Sequence, residues 1–203
     1  MTDQNLETQI QPLKREGPFL IAGLGNPGRK FERNRHNVGF MLLNRLSSRL
    51  GVTFGTVESK GLVAKSSYLG ERVILVKPQM YMNKSGVAVS SLVHFYKVRM
   101  DNFLVAYDDV DLPLGTLRLR TSGGSAGQKG MQSIIDRLGT EEFPRLRIGT
   151  GRPPGRMDAA DYVLQDFPKD ETELLADTLN RSVEAVLTYL QYGLDRAMNT
   201  YNG

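Results

Sequence analysis

The chain carries two histidines, His36 and His94, and no cysteine, so acid–base chemistry near neutral pH would most naturally fall to one of two imidazoles. His36 follows the turn Gly23-Leu24-Gly25-Asn26-Pro27-Gly28, which ends the short apolar run 19–22. Such a run, bounded by glycine, reads as a buried strand. His94 sits in the amphipathic stretch 87–98 beside Leu92, Phe95 and Tyr96, the surface of an ordinary helix. A lone histidine at a helix start also serves as a cap or a satisfied core residue, and that reading stands beside the catalytic one. Three apolar runs end in polar residues, at Asn26, at Asn83 and at Asp108. If their strands run parallel, these ends share one edge of a sheet, where ligands bind in open α/β folds. A carboxylate there could hold the histidine Nδ1–H and leave Nε2 to take a proton from water. Side-chain amides could hold that water and the developing oxyanion. No serine, cysteine or lysine nucleophile is needed.

These residues require an α/β frame. The spacing of Val38, Met41, Leu42, Leu46 and Leu50 predicts a helix closed by Gly51. Strands are predicted over 61–68, 71–76, 103–107, 117–120 and 145–149, and helices over 87–98, from the loop 122–130 to about Leu138, and over 171–192. Residues 151–166 read as an irregular loop. Arg118 and Arg120 alternate with apolar neighbours and should project from one strand face. Strands alternating with helices predict one α/β domain over 18–203, a three-layer α/β/α sandwich around a twisted, mostly parallel mixed sheet. Residues 1–17 are polar and aperiodic and read as a disordered N-terminal arm.

Glycines 23, 25 and 28 also match the dinucleotide-binding spacing. That reading fails because the fingerprint needs a helix opening at the third glycine and an acidic residue ~20 positions on. Arg29 to Arg35 intervene, and no Asp or Glu occurs between Glu32 and Glu58.

The absence of cysteine excludes disulfides, thiolate catalysis and cysteine metal sites. With no apolar run near the ~20 residues of a membrane span and no signal-peptide pattern, a cytoplasmic location without membrane association is expected. The net charge is +4, and residues 115–156 hold eight basic residues against three acidic ones. Such an excess can neutralise phosphates, although a solvated charged surface would look the same. Residues 157–177 are acidic, so the charge forms a face.

Several motifs in one order then resemble bacterial-type peptidyl-tRNA hydrolase: the glycine turn 23–28, Arg35-His36-Asn37-Val38-Gly39-Phe40, Met82-Asn83-Lys84-Ser85-Gly86, Asp108-Asp109-Val110-Asp111-Leu112-Pro113 and Phe143-Pro144-Arg145-Leu146-Arg147-Ile148-Gly149. The resemblance implies a monomeric enzyme, free of metal and cofactor, that cleaves the ester joining a peptide to the 3′ ribose of tRNA and so recycles tRNA from stalled translation. It makes His36 the general base, Asp108 its orienting partner and Asn26 a residue near the peptide-bearing end. Asn83, with Tyr81 and Met82 in the same loop, becomes a substrate binder, and Arg118, Arg120 and Arg147 clamp tRNA phosphates. Phe31 stands where the family often has tyrosine and keeps only stacking. The family's usual Gly-His-Asn-Gly loop reads Gly127-Gln128-Lys129-Gly130 here, which puts a cation, Lys129, where an asparagine amide meets substrate.

Two other readings compete. A non-catalytic RNA-binding relative of the same fold is the first, and Lys129 favours it. A metal-dependent phosphoesterase built on Asp108, Asp109 and Asp111 is the second, though no further histidine or carboxylate motif supports it.

Overall fold

The computed structural model describes residues 16–203. All but Glu16 and Gly17 of the expected N-terminal arm lies outside the described residues. In chain order the elements are β1 (Phe19–Gly23), α1 (Val38–Arg49), β2 (Thr56–Glu58), β3 (Gly61–Tyr68), β4 (Glu71–Pro78), α2 (Ser85–Phe95), β5 (Phe103–Asp109), β6 (Leu117–Arg120), α3 (Lys129–Leu138), β7 (Arg145–Gly149), α4 (Ala159–Val163), α5 (Thr172–Tyr192) and α6 (Leu194–Tyr201).

The strands form one sheet in the order β2-β3-β4-β1-β5-β7-β6. Strands β4, β1, β5 and β7 are mutually parallel, and antiparallel strands flank them on both sides. The central strands β1 and β5 are apolar almost without a break and buried throughout, as parallel strands covered on both faces must be. Side-chain alternation divides the core. Phe19, Ile21, Val73, Leu75, Leu104 and Ala106 pack under α1, α5 and α6. On the other face Leu20, Ala22, Ile74, Val76, Phe103 and Val105 meet α2 and α3. The expected three-layer sandwich around a mixed sheet is therefore the observed one, with parallel pairing among the four central strands and antiparallel pairing at both sides. Burial of Leu42, Leu43 and Leu46 holds α1 to the sheet, each contributing about 1.5–3 kcal/mol.

Two glycines set how closely α1 approaches the sheet. A Cβ on Gly39 would come within 2.5 Å of the Ala106 carbonyl oxygen and of the Leu24 nitrogen, and one on Gly23 would lie 2.3 Å from the Gly39 oxygen. Real Cβ atoms do not tolerate such contacts, so the start of α1 rests directly on the carboxyl ends of β1 and β5. The 3-10 turn Arg35–Asn37, which carries His36, is thereby held over that edge.

The structure corrects several boundaries. Strand β5 continues through Asp108 and Asp109 and does not stop at Tyr107, because Asp108 pairs in register with Ile148 and Asp109 with Gly149. The loop expected over 151–166 contains α4, capped by the Asp158 side chain accepting from the Ala160 N–H at 2.7 Å. A short helix, α6, follows Gly193 where the sequence signalled an end.

Candidate active site

Asn26 leaves β1 in a loop fixed from both sides. Its N–H donates to Asn37 Oδ1 at 2.9 Å, and Asn37 Nδ2 returns a bond to the Asn26 carbonyl at 2.9 Å. This buried exchange locks the glycine turn to the entry of α1. The Asn26 Oδ1 in turn accepts the Met82 N–H at 2.8 Å, which ties in the segment leaving β4. Because a backbone N–H can only donate, that contact fixes the amide orientation and turns Nδ2 away from Met82 as a donor.

His36 Nδ1 lies 2.8 Å from Asp108 Oδ2, and Asp108 is 4% exposed. The second oxygen, Oδ1, accepts from Gln128 Nε2 at 3.0 Å. With both carboxylate oxygens engaged as acceptors, the neutral imidazole fits this site as the tautomer that carries its proton on the nitrogen facing Asp108 and its lone pair on Nε2.

These groups line a cavity of about 410 Å³. Asn26, His36 and Asp108 share its wall with Tyr81, Met82 and Asn83, with the loop 125–129, and with an apolar side made of Ala159, Ala160, Val163 and Leu164. Arg35 attaches that apolar side to the histidine turn. Its guanidinium stacks between Tyr162 (4.5 Å) and Phe167 (4.8 Å), reaches Glu171 at 2.6 Å and donates to the Thr150 carbonyl at 3.3 Å. Burial raises the Tyr107 phenol above its ordinary value against the pull of Arg145 and Arg147, which keeps this lining hydroxyl neutral.

The sequence-derived residues divide into two groups. His36, Asp108, Asn26, Tyr81, Met82, Asn83 and Lys129 converge on the cavity. Phe31 does not line it; it lies in the 3-10 turn Arg29–Phe31 with the Lys30 ammonium 4.7 Å from its ring. Arg118, Arg120 and Arg147 lie outside the cavity on β6 and β7, where Arg118 pairs in register with Arg147. Arg147 forms an ion pair with the buried Asp109. Arg145, part of the same basic run, is 1% exposed and bonds the carbonyls of Gly123, Gly124 and Glu141, so it holds the glycine-rich loop. The acids of the phosphoesterase reading are each taken by a different partner: Asp108 by His36 and Gln128, Asp109 by Arg147, Asp111 by Arg152 at 2.8 Å. Asn37, Arg35 and Gln128 are the residues that sequence reasoning left out. The one available signal for Gln128 was a glutamine at the start of a helix, where shorter polar residues are preferred.

Comparison with known proteins gives the following. Residues 20–203 match the family model described as peptidyl-tRNA hydrolase. A peptidyl-tRNA hydrolase of Chloroflexus aurantiacus is 50% identical over 185 residues, spanning 91% of this chain and 98% of its own. One from Carboxydothermus hydrogenoformans is 48% identical over 184 residues with the same coverage. The crystal structure of the Acinetobacter baumannii peptidyl-tRNA hydrolase superposes with a TM-score of 0.85 at 32% identity, covering 91% of this chain and 96% of that one.

Proposed function

Since the chain belongs to the peptidyl-tRNA hydrolase family, we propose that it hydrolyses the ester between a peptide and the 3′ ribose of tRNA, with a water activated by His36 as nucleophile. Asp108 holds Nδ1–H, and Nε2 takes a proton as the water oxygen bonds to the ester carbon. The carbonyl oxygen gains charge, and Asn26 Nδ2, with its Oδ1 fixed by Met82, donates to it. The carbon–oxygen bond to the 3′ ribose then breaks, and the imidazolium returns its proton to that oxygen. The products are a tRNA with a free 3′ hydroxyl and a peptide carboxylic acid, which releases the remaining water proton to solvent and leaves as the carboxylate. Ala159, Ala160, Val163 and Leu164 supply an apolar surface for the peptide, and Tyr81, Met82 and Asn83 line the same cavity.

Arg118 and Arg120, with Arg147 beside them, supply cations for tRNA phosphates away from the chemistry, and Lys129 faces the substrate end. The enzyme works as a monomer in the cytoplasm, without metal or cofactor, and its activity belongs to residues 18–203 and not to the N-terminal arm. Among the described residues no helix is long and apolar enough to cross a membrane. The observation that carries this reading is the 2.8 Å His36–Asp108 contact on the wall of a cavity at the carboxyl edge of the sheet. Incubation of an N-acetyl-aminoacyl-tRNA with the enzyme in ¹⁸O-labelled water tests it. One solvent oxygen should appear in the released carboxylate; release without label, or no release, overturns it.

A further inference from the structure

We propose that Gln128 is a positioning residue for the reaction, fixing Asp108 and through it the tautomer and orientation of the His36 ring. The inference rests on His36 acting as the base. Gln128 is the N-cap of α3, and its Oε1 accepts the Met131 N–H at 2.7 Å. Since that N–H can only donate, the amide cannot be turned round, and Nε2 must be the atom that meets Asp108 Oδ1 at 3.0 Å. The same NH₂ group lies 3.3 Å from Met82 Sδ. Both ends of the amide are spent inside the protein, on a residue only 9% exposed, so Gln128 acts on the carboxylate and not on substrate.

The choice of residue points the same way. Asparagine or aspartate caps a helix better than glutamine. Either would satisfy Met131 N–H, but neither is long enough to reach Asp108 as well. A cap of this length makes sense where the capping bond is also the anchor of a second bond. The resulting line runs from the Met131 N–H through the Gln128 amide to Asp108 Oδ1, and from Asp108 Oδ2 to His36 Nδ1. Each bond polarises the next in a buried environment. With Oδ1 held, the carboxylate cannot rotate, and Oδ2 stays aimed at the imidazole.

Two variants of the full chain separate capping from positioning. Gln128→Asn keeps a cap and loses the reach; Gln128→Glu keeps the reach and the cap and sets a second carboxyl group against Asp108, so that the two must share a proton and Asp108 no longer holds the imidazole as a full carboxylate. Both should lower kcat on an N-acetyl-aminoacyl-tRNA by about tenfold, well short of the ~10⁴ that altering the carboxylate partner itself costs in a triad, with KM within about twofold. The ¹⁵N signals of the His36 ring should move away from the pure Nδ1–H form in both. Gln128→Asn should leave Tm within about 2 °C. Wild-type kcat in Gln128→Asn, or a lower kcat with His36 ring signals unchanged, overturns the proposal and leaves Gln128 a helix cap. A wild type that hydrolyses nothing would instead fail the functional reading, while the ring signals still decide the positioning role.

Discussion

Asp108 is the residue whose surroundings constrain its chemistry most tightly, because two donors face its two oxygens: His36 at 2.8 Å and Gln128 at 3.0 Å. An amide offers one oxygen and one NH₂, so Asp108→Asn either turns its NH₂ to Gln128 and loses that bond, or turns it to His36 and draws the ring into the tautomer that accepts at Nδ1 and leaves the proton on Nε2. The variant should fold and hydrolyse substrate more slowly, with a loss smaller than that from removing His36 itself. An unchanged rate would make Asp108 a turn residue. Lys129 lines both the cavity and a neighbouring groove of about 400 Å³ that also holds Lys84 and Arg137. Lys129→Asn should leave kcat within about threefold and reduce the salt dependence of tRNA binding by about one unit of slope, as expected for one phosphate contact; an unchanged slope would place Lys129 in solvent. His36 was legible from sequence because the chain has only two histidines, and Asp108 because it ends an apolar run. Gln128 and Asn37 were not, because neither ends an apolar run as Asn26 and Asn83 do; one caps α3 and the other lies in the turn before α1, and only the fold brings them to their partners.

At the level of elements, the sheet edge holds a buried cation that tests how β4 meets α1. Lys77 is 7% exposed, bonds Asn44 and lies 4.0 Å from the centre of the Phe54 ring. Burial pulls its pKa down from an ordinary 10.5 to about 8, against the opposing pull of Glu32. A lysine whose folded pKa is depressed costs stability in full below about pH 8, and that cost fades as the pH climbs towards 10.5. Lys77→Met should therefore be more stable than the parent at pH 7, by on the order of 2 kcal/mol or several degrees in Tm. The difference should shrink between pH 8 and 10; a gap that does not depend on pH would contradict the assignment. The long periodic helices and the apolar strands were readable from spacing. Helix α4, only five residues long, was not, since so short a segment shows no period and is held by Asp158 capping and by Arg35 stacking on Tyr162. Phe31 was placed at the site by resemblance, but the chain reverses in a 3-10 turn that leaves it off the cavity wall.

For the whole molecule, the chemistry proposed at the carboxyl edge of the sheet lies apart from the tRNA contacts proposed on β6 and β7. Arg118→Ala and Arg120→Ala should each weaken tRNA binding and lower its salt slope by about one unit, with Tm and the cleavage of small ester substrates unchanged. Arg147→Ala should differ, because its partner Asp109 is a buried carboxylate that would be left without its cation. Breaking such a pair costs on the order of 3 kcal/mol, and Tm should fall by roughly 6–12 °C. Equal behaviour of all three variants would contradict this division. The basic run was visible in the sequence, but its use was not: spacing alone could not tell the buried Arg145 from the accessible Arg120. Everything proposed for the chemistry turns on one imidazole, held by Asp108 at the carboxyl edge of the sheet, activating the attacking water. The most direct test is the single-turnover rate of N-acetyl-aminoacyl-tRNA hydrolysis by His36→Ala, measured beside tRNA affinity and Tm. The rate should fall by about 10² to 10⁴, the contribution of a positioned general base, with affinity and Tm near those of the parent; a rate close to wild type would show that His36 is not the base.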